Sequence, residues 1–144
     1  MLHVLSEGPM DLVAIDLHGP MVTSARNNRY IVVMRDIFTR YTVIAATKDA
    51  SAEELARVFI DHWIAVLGIP SRLLTDNAKI FSSATMEDFY VLLKIRKIWT
   101  SPYRPQTDGS VERMNRVIDS MLSHYVNAQQ DNWDELISLV ARLQ

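Results

Sequence analysis

The chain contains no cysteine, which excludes a disulfide framework and any cysteine-ligated zinc site within it. It also lacks an uninterrupted apolar run of the roughly 18 residues that a membrane-spanning helix requires. The N-terminus has no basic stretch leading into an apolar one, the pattern of a secretory leader. The expectation is a soluble chain with no membrane association, for which a reducing compartment is permitted. An excess of positive charge is missing too. The net charge of −2 and a pI near 6.0 argue against a general nucleic-acid coat protein, so any contact with nucleic acid has to come from a local patch. One candidate lies between Lys94 and Arg116, where Lys94, Arg96, Lys97, Arg104, Arg113 and Arg116 face only Asp108 and Glu112. It reads equally as a solvated face.

What is present is a full complement of core-forming residues. With 49% hydrophobic and 22% charged residues among 144, the chain has the makings of one compact domain over residues 1–144, without repeats or low-complexity segments. Leu12 to Leu17 (LVAIDL) is apolar on both alternating faces apart from Asp16, the pattern of a central strand covered on both sides. Gly19 and Pro20 break it, and Tyr30 to Met34 and Tyr41 to Thr47 read as two further strands, closely joined and hence antiparallel. Ser51 with Glu54 fits a capping box opening a helix with Leu55, Val58, Phe59, His62 and Val66 on its apolar stripe, ended by Gly68 and Pro70. His62 is expected in or beside the core, without a chemical role. Arg72 to Thr75 reads as a fourth strand, Ser83 as the cap of a second helix with Met86, Phe89, Tyr90 and Leu93, and Ile95 to Thr100 as a fifth strand. A turn-rich loop, Ser101 to Ser110, precedes a long helix with Val111, Met114, Val117, Ile118, Met121, Leu122 and Tyr125 on one face. A last helix from about Asp131 carries Trp133, Leu136, Ile137 and Val140. This order predicts an α/β domain with a mixed five-stranded sheet flanked by helices.

Three carboxylates call for explanation. A carboxylate inside an apolar strand must be paired, protonated or bound to a metal, and Asp16 is so placed. Asp76 follows a strand at its C-terminal end, where open α/β sheets place ligand crevices, although a turn aspartate would look the same. Glu112 lies in the first turn of the long helix, where it could simply complement the helix dipole. Taken together, the three sit in a strand, at a strand end and on a helix entered from a glycine-containing loop, with 35 residues between the second and third. Converging carboxylates are hard oxygen donors that suit Mg²⁺ or Mn²⁺, and a two-metal arrangement serves phosphoryl transfer. Without cysteine or a spaced histidine set, zinc does not fit.

From about Met10 to Leu139 the sequence resembles the core of retroviral and gypsy-type LTR-retrotransposon integrases. Asp16 with Gly19 and Pro20 is similar to the family's first-aspartate strand, and Asn28 to Thr39 (NRYIVVMRDIFT) to its second strand and turn. Leu67 to Asn77 (LGIPSRLLTDN) resembles the segment of the second aspartate. Thr100 to Arg116 (TSPYRPQTDGSVERMNR) resembles the loop leading into the catalytic glutamate, and Trp133 with Leu136 the following helix. His18 stands where the family has an aromatic, Ala78 where it has glycine, and Arg104 where it has histidine.

The resemblance implies a ribonuclease H-like fold and a triad of Asp16, Asp76 and Glu112 holding two Mg²⁺ (or Mn²⁺) ions. It implies 3′-end processing of element DNA and strand transfer into target DNA, with Tyr103, Arg104, Gln106, Arg113, Asn115 and Arg116 as DNA contacts. It further implies nuclear action and a homodimer or larger assembly. The family's zinc-binding N-terminal and DNA-binding C-terminal domains are not represented, so an excised core or fragment is expected. Two other readings share the pattern: a ribonuclease H-like nuclease, and a domesticated integrase-like domain that binds DNA or protein without activity.

Overall fold

The computed structural model describes residues 6–76, 78–99, 116, 132–135 and 137. Five strands form one sheet: β1 (Leu12–His18), β2 (Tyr30–Asp36), β3 (Thr42–Thr47), β4 (Arg72–Thr75) and β5 (Arg96–Trp99), in the order β3-β2-β1-β4-β5. β1 pairs antiparallel with β2, and β2 with β3; β1 and β4, and β4 and β5, run parallel. The expected mixed five-stranded sheet is thus present, with β1 at its centre.

β1 is apolar on both sides because both sides are covered. Val13 and Ile15 join a core with Leu55, Val58 and Phe59 of α1 (Ala52–Phe59) and Met86, Phe89 and Tyr90 of α3 (Ala84–Leu93). Leu12 and Ala14 point to the opposite face, where they meet Leu74. On that same side Ile31 and Val33 of β2 pack against Trp133 and Ile137, residues in helical conformation. The expectation that Trp133 and Ile137 share a buried side is met; Leu136 and Val140, and the long helix from Val111, lie outside the described residues.

The first helix departs from its sequence pattern. After Phe59 the chain forms a π-helical stretch, Ile60–Ile64, before three α-helical residues, α2 (Ala65–Leu67). The buried stripe that runs Leu55, Val58, Phe59 continues to Trp63, four residues on, which is fully buried. His62 is exposed and Val66 is 71% exposed, both contrary to a constant helical period. The ring of Trp63 meets Tyr41 edge-on at 6.3 Å.

Helix ends follow local chemistry. Ser51 Oγ accepts from Glu54 N–H at 3.2 Å, but only half the capping box forms. Ser51 N–H turns to Asp49 at 3.0 Å, while the Glu54 carboxylate binds the Thr47 hydroxyl at 2.8 Å and Arg57. Ser83 caps α3 through Met86 N–H at 3.3 Å. That helix stops at Lys94, left-handed at φ 57, with Lys94 N–H on Val91 C=O at 3.2 Å and Ile95 N–H on Tyr90 C=O at 2.9 Å. This is a Schellman closure. It commits Ile95 to the cap, so β5 begins at Arg96 rather than Ile95. Among the described residues no helix is long and apolar enough to cross a membrane.

Candidate functional site

The parallel register of β1 and β4 places the first two candidate acids. Leu12 pairs with Arg72, Val13 with Leu73 and Ala14 with Leu74. Asp16 lies two residues beyond Ala14 within β1, and Asp76 is the first residue after β4, two beyond Leu74. Neighbouring strands lie about 4.8 Å apart, and side chains two residues on return to the same face. Asp16 therefore belongs to the face of Ala14, and Asp16 and Asp76 lie at the carboxyl ends of two adjacent strands. Asp16 is half-buried and Asp76 exposed.

Asp76 opens a loop shaped by its own side chain. Its Oδ1 accepts from Ala78 N–H at 2.9 Å, and its carbonyl accepts from the Thr75 hydroxyl at 3.0 Å. Ala78 has φ −66 and ψ 141, extended backbone open to any residue, so nothing in its conformation requires glycine. A short 3-10 turn, Lys79–Ser82, follows. Two carboxylates brought side by side would repel unless a cation or proton lay between them. As hard oxygen donors they are of the type that suits a divalent cation.

Glu112 lies outside the described residues, as do Tyr103, Arg104, Gln106, Arg113 and Asn115. Arg116 is helical and exposed. Among the described residues no group of three metal-ligating side chains gathers. Within the basic segment, Lys94 and Arg96 are exposed, whereas Lys97 is engaged. Its Nζ donates to Phe81 C=O at 2.9 Å and to the Ser82 hydroxyl at 3.1 Å, and it lies 5.8 Å from the centre of the Tyr90 ring. The Tyr90 hydroxyl donates to the same carbonyl at 3.0 Å, and burial pushes its phenol above the ordinary range.

One feature escaped the sequence pattern altogether. The loop from Gly19 to Arg29 is clasped by residues more than 100 positions away. Asp134 Oδ2 accepts from the Ser24 hydroxyl at 2.6 Å and from Asn28 Nδ2 at 2.8 Å. Trp133 Nε1 donates to Val22 C=O at 2.5 Å. The loop is also closed on itself by Met21 N–H to Arg29 C=O, 2.6 Å, and Ser24 N–H to Asn28 C=O, 2.9 Å. Its first residue must be glycine. At φ +136, a Cβ on Gly19 would sit 2.9 Å from both Arg29 C=O and the Tyr30 ring. An aspartate after a tryptophan near a helix start looks like a dipole-complementing acid, so its sequence context gave no sign of this partner.

A mixed five-stranded sheet in this order with helices on its faces defines a ribonuclease H-like α/β domain. The comparisons narrow that class. A family model described as "Integrase core domain" matches residues 7–105, and the chain belongs to that family. The matched segment includes Asp16 and Asp76. The Tf2-3 and Tf2-4 transposon polyproteins of Schizosaccharomyces pombe (strain 972) are each 34% identical over 136 residues, covering 94% of this chain and 10% of the polyprotein. The chain thus spans about a tenth of those relatives' length. A cryo-EM structure of the simian T-cell lymphotropic virus intasome in complex with PP2A regulatory subunit B56 gamma contains a similar fold. It superposes with a TM-score of 0.74 at 24% identity, covering 98% of this chain and 49% of that one.

Proposed function

We propose that this integrase core domain carries out 3′-end processing of element DNA and strand transfer into target DNA, with Asp16, Asp76 and Glu112 as its catalytic acids. The observation that supports it most is the parallel pairing of β1 with β4 up to Ala14 and Leu74, because Asp16 and Asp76 each follow two residues later at the same end of these strands. Side-chain oxygens so placed suit Mg²⁺ or Mn²⁺, with Glu112 completing the set. Divalent ions held there supply charge neutralisation at a scissile phosphate and a more acidic water.

The chain's own contribution is position. β1, fixed on both sides, holds the Asp16 carboxylate still, and the Asp76–Ala78 hydrogen bond restrains the second acid. In the first step water attacks a phosphodiester near the element's end, and the broken P–O bond leaves a 3′-hydroxyl. In the second that hydroxyl attacks a target phosphodiester in line, one P–O bond forming as another breaks. No ATP and no covalent protein intermediate are needed, and holding both ends in line provides much of the rate. Element-end DNA, target DNA and a second copy of the chain are the partners of this reading, and the nucleus its setting.

The test is strand transfer by Asp76→Asn and Asp16→Asn chains with Mg²⁺ or Mn²⁺. Both are expected to lose activity while keeping the wild-type unfolding temperature to within a few degrees. Wild-type rates in either variant refute the assignment.

A further inference from the structure

The Gly19–Arg29 loop is tightly held yet presents charge outwards. It leaves β1 two residues after Asp16 and returns into β2, so it stands at the sheet edge where Asp16 and Asp76 lie. Over its length it carries Arg26 and Arg29, no acid, and Thr23, Ser24, Asn27 and Asn28. Both arginines are exposed. Arg29 N–H donates to Thr47 C=O at 3.0 Å, which ties the loop to the end of β3, and exposed Lys48 follows immediately. The Arg29 guanidinium lies 5.8 Å from the centre of the Tyr30 ring. Arg26 has one loose ion pair, 3.8 Å from Glu135, with both side chains more than half exposed. Such a pair contributes little in water, so the guanidinium is open to a stronger anion.

An exposed loop of this length ordinarily stays mobile, with its ends alone fixed. This one has its middle pinned by Asp134 and Trp133, which reduces the ordering cost of placing Arg26 and Arg29 on a ligand. Guanidiniums, hydroxyls and amides together are the side chains that contact phosphate and sugar. We infer that the clasped Gly19–Arg29 loop is a binding surface for the phosphodiester backbone of duplex DNA, with Arg26 and Arg29 as its charged contacts. The inference rests on the DNA-integration reading and assigns it a surface outside the segment from Tyr103 to Arg116. Backbone binding of this kind is blind to base sequence.

The experiment is fluorescence anisotropy of the wild-type chain and the Arg26→Gln/Arg29→Gln variant on labelled blunt duplex DNA, from about 50 to about 200 mM salt. Each lost phosphate contact should lower the slope of log K against log salt by about 0.9, and the double variant by about 1.8. At about 0.1 M salt that corresponds to roughly 10- to 100-fold weaker binding. The Arg29 backbone keeps its hydrogen bonds with Thr47 and Met21 and both side chains are exposed, so circular dichroism and the unfolding temperature should be unchanged. Glu135→Gln is expected to bind more tightly, because it removes the competing carboxylate. An unchanged slope in the double variant, or weaker binding at unchanged slope, overturns the inference and leaves the integration reading standing. A wild-type chain that fails to bind duplex DNA even at about 50 mM salt sinks both.

Discussion

Asp134→Ala should unfasten the loop that follows β1, and its cost can be worked from the structure. The substitution removes the acceptor of two hydrogen bonds, at 2.6 Å from the Ser24 hydroxyl and 2.8 Å from Asn28 Nδ2. Hydrogen bonds to a charged group contribute roughly 1.5–3 kcal/mol each. Ser24 is buried whereas Asn28 and Asp134 are only half-buried, so water replaces part of what is lost. A net cost of about 2–4 kcal/mol is reasonable. At about 2.1 cal/mol/K of unfolding entropy per residue, 144 residues give about 0.3 kcal/mol/K. The midpoint should therefore fall by roughly 7–13 °C, read by calorimetry. Asp134→Asn, which keeps one acceptor oxygen, should recover part of the drop. Because Ser24 and Asp134 touch, Ser24→Ala combined with Asp134→Ala should cost less than the sum of the singles. A fall of less than about 2 °C, or strict additivity in that cycle, would show that the clasp contributes nothing.

Two further outcomes follow from the helix. Trp63→Ala should cost roughly 3–5 kcal/mol, while Val66→Ala should stay within about 0.5 kcal/mol; urea denaturation compares them directly, and equal costs would contradict the burial of Trp63 and the exposure of Val66. Glu54 provides the pH dependence: its hydrogen bond with Arg57, aided by the Thr47 hydroxyl, holds its carboxyl below the ordinary 4.5. A depressed folded value means that the stabilisation is present above about 4.5 and is lost as pH falls through the folded value. Between about pH 5 and about pH 3 the wild type should therefore lose more stability than Glu54→Gln, and parallel acid-unfolding curves would contradict this.

The sheet was legible because each strand carries its own signal. LVAIDL announces a strand covered on both faces, and RLLT begins and ends where its four residues suggest. The helix was legible in place but not in phase. A 3.6-residue period run past Phe59 takes in Trp63 as well as His62 and Val66, and of these the structure buries only Trp63. The end of α3 was hidden too. A left-handed Lys94 does what glycine ordinarily does, and the cap takes Ile95 out of β5. At the site, Asp16 stood out by contrast with its neighbours, whereas the Asp134 clasp spans 110 positions to Ser24 and has no local sign. The cation-binding pattern was read from three acids, of which the described coordinates position two.

That two acids 60 positions apart fall at the same end of the sheet depends on the direction of one strand. β1 and β2 are antiparallel, so the turn after His18 returns the chain away from the acid end. Had β4 also run antiparallel to β1, its final residue would lie at the opposite edge, and Asp76 would stand a full strand length from Asp16. Instead the chain crosses over through α1, the π turn and α2 before entering β4, a connection long enough to restore the starting edge. β4 therefore runs parallel, and both carboxyl ends open on one edge. Pairing Leu12 with Arg72 then fixes the phase as well as the direction. A slip of one residue would turn Leu73 out of the core it shares with Val13 and bring Leu74 in its place. Re-forming both apolar layers around exchanged side chains is costly enough to disfavour the slipped register. The apolar residues that hold β4 in place thus also fix where Asp76 leaves the strand.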